Sequence, residues 1–270
     1  MPVWYNENNY FTSEWLRNLC VAGYIASGEV DARSIEEVSP DDVSGVGQRH
    51  FFAGIGAWSH ALRLAGVPDD ACVWTGSCPC QPFSLTGKRA GFSDPRHLWP
   101  AWFNLITECK PPIIFGEQVA SRDGLAWLDN VYLDLESAGY AVGAADLCAA
   151  GIGAPHRRQR LYFGAFRVDQ PRRSRLERLS GDEYDRSESG RVHPESSGPV
   201  TSPSEVNGFW RGAEWILCRD GKERPIEPGL LPLVNGPTQR LGRLRAYGNA
   251  IVPQVAAEFI KAILGERGWI

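Results

Sequence analysis

The sequence predicts an α/β fold organised around a doubly wound, mostly parallel sheet. Three observations carry that prediction. Short apolar runs of strand length alternate with longer segments of helical period between Gln48 and Phe166. Glycine and proline punctuate the junctions, as Gly66, Pro68, Pro111, Pro112 and Gly139 do. A chain of 270 residues with 43% hydrophobic content holds one such domain plus a small appendage.

Taken in order, Gln48-Arg49-His50-Phe51-Phe52 turns apolar at its end and enters a glycine turn, so it reads as a strand feeding a helix over 58–65. Gly66 and Pro68 stop that helix. Val73-Trp74-Thr75 is the next strand, followed by Gly76-Ser77-Cys78-Pro79-Cys80-Gln81-Pro82-Phe83-Ser84. Pro79 and Pro82 each fix φ and remove a backbone donor, so the chain leaves the sheet in a rigid loop. That loop holds the Cys80 thiol at the strand's carboxyl end, the edge where open α/β sheets bind ligands. A cysteine so placed is either a pre-ordered nucleophile or a small buried thiol in a proline-rich turn.

The segment 97–109 reads as a helix with Leu98, Trp102, Leu105 and Ile106 on one face, ended by Pro111-Pro112. Ile113-Ile114-Phe115 follows as a buried strand with Glu117 beyond its end, either a working acid or a solvated loop residue. The segment 123–137 repeats apolar residues at Leu125, Leu128, Val131, Tyr132 and Leu135, and Gly139 caps it. Strands over 140–147 and 160–166 complete a Rossmann-like pattern.

Composition narrows the classes. No run approaches ~20 apolar residues, so no membrane span is expected. The start of the chain lacks the basic and apolar regions of a signal peptide. Seven cysteines without regular spacing point to a reducing compartment, and no Cys/His pattern predicts a metal site. A net charge of −4 argues against indiscriminate nucleic-acid binding while leaving room for a local basic face. Over 168–207 the composition changes: Arg172, Arg173, Arg175, Arg178, Arg186 and Arg191 are interleaved with serine, glycine, proline and acids, too sparsely apolar to bury a core. Strand-like character returns over 209–217, before the Asp-Gly turn signal of Arg219-Asp220-Gly221-Lys222.

Five segments together resemble the DNA (cytosine-5)-methyltransferase family. They are the Pro-Cys-Gln of Pro79-Cys80-Gln81, the cofactor loop Phe52-Ala53-Gly54-Ile55-Gly56, Glu117-Gln118-Val119 for the family's Glu-Asn-Val, His156-Arg157-Arg158-Gln159-Arg160 for its Gln-x-Arg-x-Arg, and Gly248-Asn249-Ala250 near the C-terminus. The combination is closest to compact bacteriophage and prophage members. The resemblance implies a class I S-adenosylmethionine-dependent methyltransferase. Its catalytic and cofactor domain would span 1–166 plus 244–270, and a small target-recognition region with a linker would span 167–243. It implies double-stranded DNA as substrate, a monomer, and a cytoplasmic setting in a bacterium or phage-infected cell.

The site residues that the resemblance implies are Cys80 as nucleophile, Glu117 as the acid facing the base, and Arg158 and Arg160 as the family's two arginines, one of which contacts the base and helps orient the acid. Phosphate contacts or surface ion pairs are the other reading of the arginines. Phe52 to Gly56, Pro79, Asn249 and Ala250 line the cofactor, with Asn249 alternatively a turn residue. Gln81, Ser84 and His156 face DNA, and Arg211, Arg219 and Arg224 are candidates for target readout.

One departure concerns chain order. The family places a ribose-binding and an adenine-binding segment between the glycine loop and the nucleophile, and Ala57 to Ser77 leaves no room for them. Glu7-Asn8 and the segment after it resemble the ribose site, and Asp31 with Ser34-Ile35 resembles the adenine site. A permuted order follows; the alternative is a helical extension with coincidental acids. A right-handed crossover from the Phe51 strand straight to the Val73 strand would put the intervening helix on an unusual face. The competing functions are a catalytically silent cofactor- or DNA-binding protein and an RNA cytosine methyltransferase.

Overall fold

A computed structural model describes residues 3–45, 47–79, 98–154, 156–168, 214–217, 223–226 and 248–265. The strands are β1 (Val3–Asn6), β2 (Gly28–Asp31), β3 (Arg49–Phe51), β4 (Trp74–Gly76), β5 (Ile113–Val119), β6 (Tyr140–Cys148), β7 (Gln159–Arg167), β8 (Glu214–Leu217) and β9 (Glu223–Ile226). The helices are α1 (Tyr10–Val21), α2 (Pro40–Val43), α3 (Ala57–Leu64), α4 (Trp99–Cys109), α5 (Arg122–Ser137) and α6 (Pro253–Gly265). Helix α1 starts where the Asn9 side chain accepts from Thr12 N, and α5 where Ser121 accepts from Gly124 N.

Strands β1 to β7 form one seven-stranded sheet in the order β2-β1-β3-β4-β5-β7-β6. Every neighbouring pair from β2 to β5 is parallel, and β7 runs antiparallel between β5 and β6. The two strands supplied by the first 31 residues therefore extend the sheet beside the glycine-loop strand; a helical extension is not what forms. Pairing with β7 continues from Ile113 to Val119, so β5 is longer than its apolar run and Glu117 lies inside the strand. Strands β8 and β9 pair antiparallel as a separate two-stranded sheet.

Alternation sorts the side chains to two faces. Trp4, Phe51, Trp74 and Ile114 pack with α4, α5 and the segment of Ile35, Val38 and Val43. On the other face, β5 and β7 side chains such as Phe115 and Tyr162 pack with α3 and α6, and β1 residues Val3 and Tyr5 pack with α1. The crossovers β3-α3-β4 and β4-α4-β5 step in the same direction along the sheet, yet their helices lie on opposite faces. They must have opposite hands. The β4-α4-β5 crossover, the β5-α5-β6 crossover and the return from β2 to β3 share one face and direction, and β1-α1-β2 steps the other way on the other face. All four share the usual right hand, so β3-α3-β4 is left-handed, a rare connection.

A buried polar chain fixes β3 against its neighbours. The Gln48 amide nitrogen donates to Pro68 O at 2.9 Å, which leaves its oxygen to accept from His50 Nε2 at 3.1 Å. His50 Nδ1 is then the acceptor, taking the Thr75 hydroxyl proton at 2.7 Å. Burial and the neighbouring Arg49 push the His50 pKa down to about 3, so the ring is neutral. Arg49 is itself buried, and donates to the carbonyls of Val43, Ser44 and Gln48.

Candidate active site

The glycine loop leaves β3 with three successive demands on the backbone. Phe52, Gly54 and Gly56 have φ of 51°, 55° and 76°. Only at Phe52 is a side chain held in that region, a strained conformation that tends to mark functional loops. Gly56 has a second reason to lack a side chain: a Cβ there would meet Ile25 Cδ1 at 2.6 Å and Leu16 Cδ1 at 3.0 Å. A Cβ at Gly54 would meet nothing within 4 Å, so the loop faces open space at that point. Ala53 and Ile55 are buried against α1.

Glu7, just beyond β1, closes the loop from the other side. One carboxylate oxygen accepts from Gly54 N at 2.9 Å and the other from Asn9 N at 2.9 Å. Burial pushes its carboxyl up, and the two backbone N–H groups oppose that. Asn8 is exposed beside it. The N-terminal acid and the glycine loop, separated by 47 residues, thus share one site.

On the adenine side the expected residues are engaged within their own segment. Both oxygens of Asp31 are taken up by Arg33, through its Nε, Nη2 and backbone N–H. Burial raises the Asp31 carboxyl, but the Arg33 contacts outweigh it and hold it below the ordinary carboxylate range. Arg33 also pairs with Asp42 at 3.0 Å, clasping the segment that follows β2. Ser34 begins a short 3-10 turn with Glu37 in a capping box. Ile35 is buried with Trp4, Val43 and Phe51. Asp31 thus clasps Arg33, and Ile35 joins the core beside it.

At the next strands the acid is assembled. Gly76 of β4 is paired with Gly116 of β5, which sets Ser77 beside Glu117. Glu117 Oε1 accepts from Arg160 Nε at 2.8 Å, with the two side chains 8% and 19% exposed. Ser77 also hydrogen-bonds the Glu117 carboxyl. Burial pushes Glu117 above the usual carboxylate range, against the pull of Arg160, Ser77 and Arg158. Gln118 reaches the segment after β4: its amide nitrogen donates to Cys78 O at 3.2 Å, while its oxygen accepts from Val119 N. The amide that replaces the family's asparagine thus grips the loop carrying Pro79.

The two arginines have different hydrogen-bond partners. Arg160 serves Glu117 directly. Arg158, at a φ of 24°, donates from Nη2 to Gly248 O at 3.0 Å and to Ala250 O. This ties the loop before β7 to the C-terminal Gly-Asn-Ala segment, where Asn249 is exposed and Ala250 packs against both clusters of the α1–α3–α6 face. His156 is partly buried, and burial together with Arg158 holds its imidazole below the ordinary range. Cys80, Gln81, Ser84, Arg211 and Arg219 lie outside the described residues, and Arg224 lies in β9. Reading the sequence did not single out Ser77, Trp58 or Arg33. Ser77 sits inside the nucleophile motif, and only pairing across β4 and β5 shows what it faces.

A seven-stranded sheet in this order, with a glycine loop and an acid along its carboxyl edge, defines a class I methyltransferase fold. The crystal structure of S. pombe Dnmt2 methyltransferase shares that fold, with a TM-score of 0.54, 13% identity and 99% of each chain covered. Residues 65–197 match the model of the C-5 cytosine-specific DNA methylase family. The type II methyltransferase M.HhaI of Haemophilus parahaemolyticus is 36% identical over 107 residues, covering 38% of this chain and 32% of that protein. The type II methyltransferase M.PspPI of Psychrobacter sp. is 30% identical over 159 residues, covering 51% of this chain and 38% of that protein. The chain thus spans well under half the length of these two relatives. Among the described residues no helix is long and apolar enough to cross a membrane.

Proposed function

We propose that this chain is a DNA cytosine C5-methyltransferase with Cys80 as nucleophile and S-adenosylmethionine as methyl donor. The observation that carries the reading is Glu117, a buried carboxyl of raised proton affinity paired to Arg160 beside the Cys80 loop. The chemistry needs such a group. Cytosine C5 becomes nucleophilic when a thiolate adds to C6, and charge then develops at N3. Glu117 meets it with a proton or a hydrogen bond, and Arg160 holds the acid in place. A base in a duplex reaches Cys80 only by leaving the stack.

The cofactor side fits the donor. The Gly54 amide already faces the Glu7 carboxylate, which would repel a phosphate and suits a cationic ligand bearing a ribose. Glu7 would take the ribose hydroxyls, and Phe52 to Gly56, Pro79 and the 248–250 segment would border the remainder. When bound, the sulfonium supplies an electrophilic methyl group. Target readout falls to the region 167–243, with Arg211, Arg219 and Arg224 as candidates around the β8–β9 pair.

Incubation with labelled S-adenosylmethionine and, separately, duplex DNA and RNA tests this. Label is expected at C5 of cytosine in DNA, and a duplex containing 5-fluorocytosine should trap an adduct that maps to Cys80. Cys80→Ser should abolish transfer while retaining cofactor binding. Label in RNA alone, or an adduct at Cys78, would overturn the assignment.

A further inference from the structure

We propose that Ser77 is a positioning residue for Glu117: its hydroxyl, fixed as a donor by the indole of Trp58, links the acid to the helix that follows the glycine loop. The inference rests on the reading of Glu117 as the acid. Trp58 Nε1 donates to Ser77 Oγ at 3.1 Å. An indole nitrogen can only donate, so it occupies a lone pair of Ser77 and leaves the hydroxyl hydrogen for the carboxylate. The β4–β5 register puts that carboxylate next door, since Gly76 is the partner of Gly116.

Trp58 is held firmly enough to impose this direction. Its ring is buried, stacks on Phe115 with centroids 6.4 Å apart, and meets Tyr162 edge-on at 6.2 Å. It reaches Ser77 because the left-handed crossover keeps α3 on the same face as α6. A chain of contacts therefore runs from α3 through the nucleophile loop to the acid and on to Arg160. Each link favours the ionised carboxylate, so Ser77 tempers the rise that burial imposes. The charged and titratable groups facing Glu117 are Arg160, Arg158 and the Tyr162 phenol, while α3 and α6 bring the uncharged rings of Trp58 and Phe259.

The test is a titration of side-chain carboxyls by carbon-13 NMR on the full chain, with Glu117 assigned by its loss in Glu117→Gln. Ser77→Ala should move the Glu117 midpoint up by about one unit, and Ser77→Thr, which keeps the hydroxyl, should restore it. In methyl-transfer assays the alkaline limb of kcat should move up with it, with the Kd for cofactor unchanged. An unmoved midpoint in Ser77→Ala overturns the proposal, even if activity falls. The titration reads the link without turnover, so a chain that transfers no methyl group would defeat the functional reading and leave the Ser77 link to be judged by NMR.

Discussion

Glu7 and Glu117 are both carboxyls that burial pushes upward, yet their surroundings assign them different work. Glu7 accepts two backbone N–H groups and, among the described residues, pairs with no charged group. Glu117 has a guanidinium at 2.8 Å. Glu7 is thus an acceptor organised by the chain itself and available to hydroxyls, and Glu117 is an acid held in register. Glu7→Ala should weaken S-adenosylmethionine binding by about 1.5–3 kcal/mol, the worth of a charge-assisted hydrogen bond. Calorimetry checks this. An affinity unchanged within error would remove Glu7 from the cofactor site. Glu7 was legible in the sequence because an acid after an apolar run matched a motif. The commitment of Asp31 was not, because a partner two residues away changes what a carboxylate can accept without changing the motif.

At the scale of elements, β3 and the loop before β7 place the two halves of the site. His50 in β3 is neutral with its pKa near 3, whereas an unfolded histidine takes a proton near 6.5. The folded value is depressed, so this contribution is complete above about pH 6.5 and is lost as pH falls toward 3, with a slope of up to about 1.4 kcal/mol per pH unit. Urea unfolding at several pH values should show that loss, and His50→Gln should flatten it. Arg158 acts further along the sheet. Lysine keeps its charge but not the guanidinium geometry that reaches Gly248 O and Ala250 O. Arg158→Lys should raise the KM for S-adenosylmethionine about tenfold by loosening the segment that packs beside Ala53 and Ile55. An unchanged KM with weakened DNA affinity would instead place Arg158 on the nucleic acid. Periodicity and breakers revealed β3 to β7 with α3, α4 and α5, because those signals are local, and left β1, β2, α1 and α6 unread. The full length of β5 escaped them, since its last residues are strand only by pairing with β7.

Across the whole molecule, the first two strands and α1 supply one edge of the sheet and a separate core of Val3, Tyr5, Trp15, Leu16, Leu19 and Ile25. Removing residues 1–47 would strip that core from Ala53 and Ile55 and leave β3 as an unpaired edge, so the truncated chain should lose cofactor binding together with much of its stability. A relinked chain separates position from order. Inserting residues 3–45 between α3 and β4 through glycine-rich linkers keeps every strand in place and makes all the crossovers right-handed. Such a chain should bind cofactor with the wild-type Kd, and failure in a folded, relinked protein would show that the present order itself shapes the site.

The amino-acid sequence by itself determined the class of fold and the motifs, because apolar period, turn residues and short motifs are written in neighbouring positions. Only the tertiary structure decided what those residues meet. The split between Arg158 and Arg160, the hand of the β3-α3-β4 crossover and the Trp58-Ser77-Glu117 link all depend on which strands lie side by side and which face each helix covers. Those are set by burial and pairing between segments tens of residues apart, and local pattern carries no record of them.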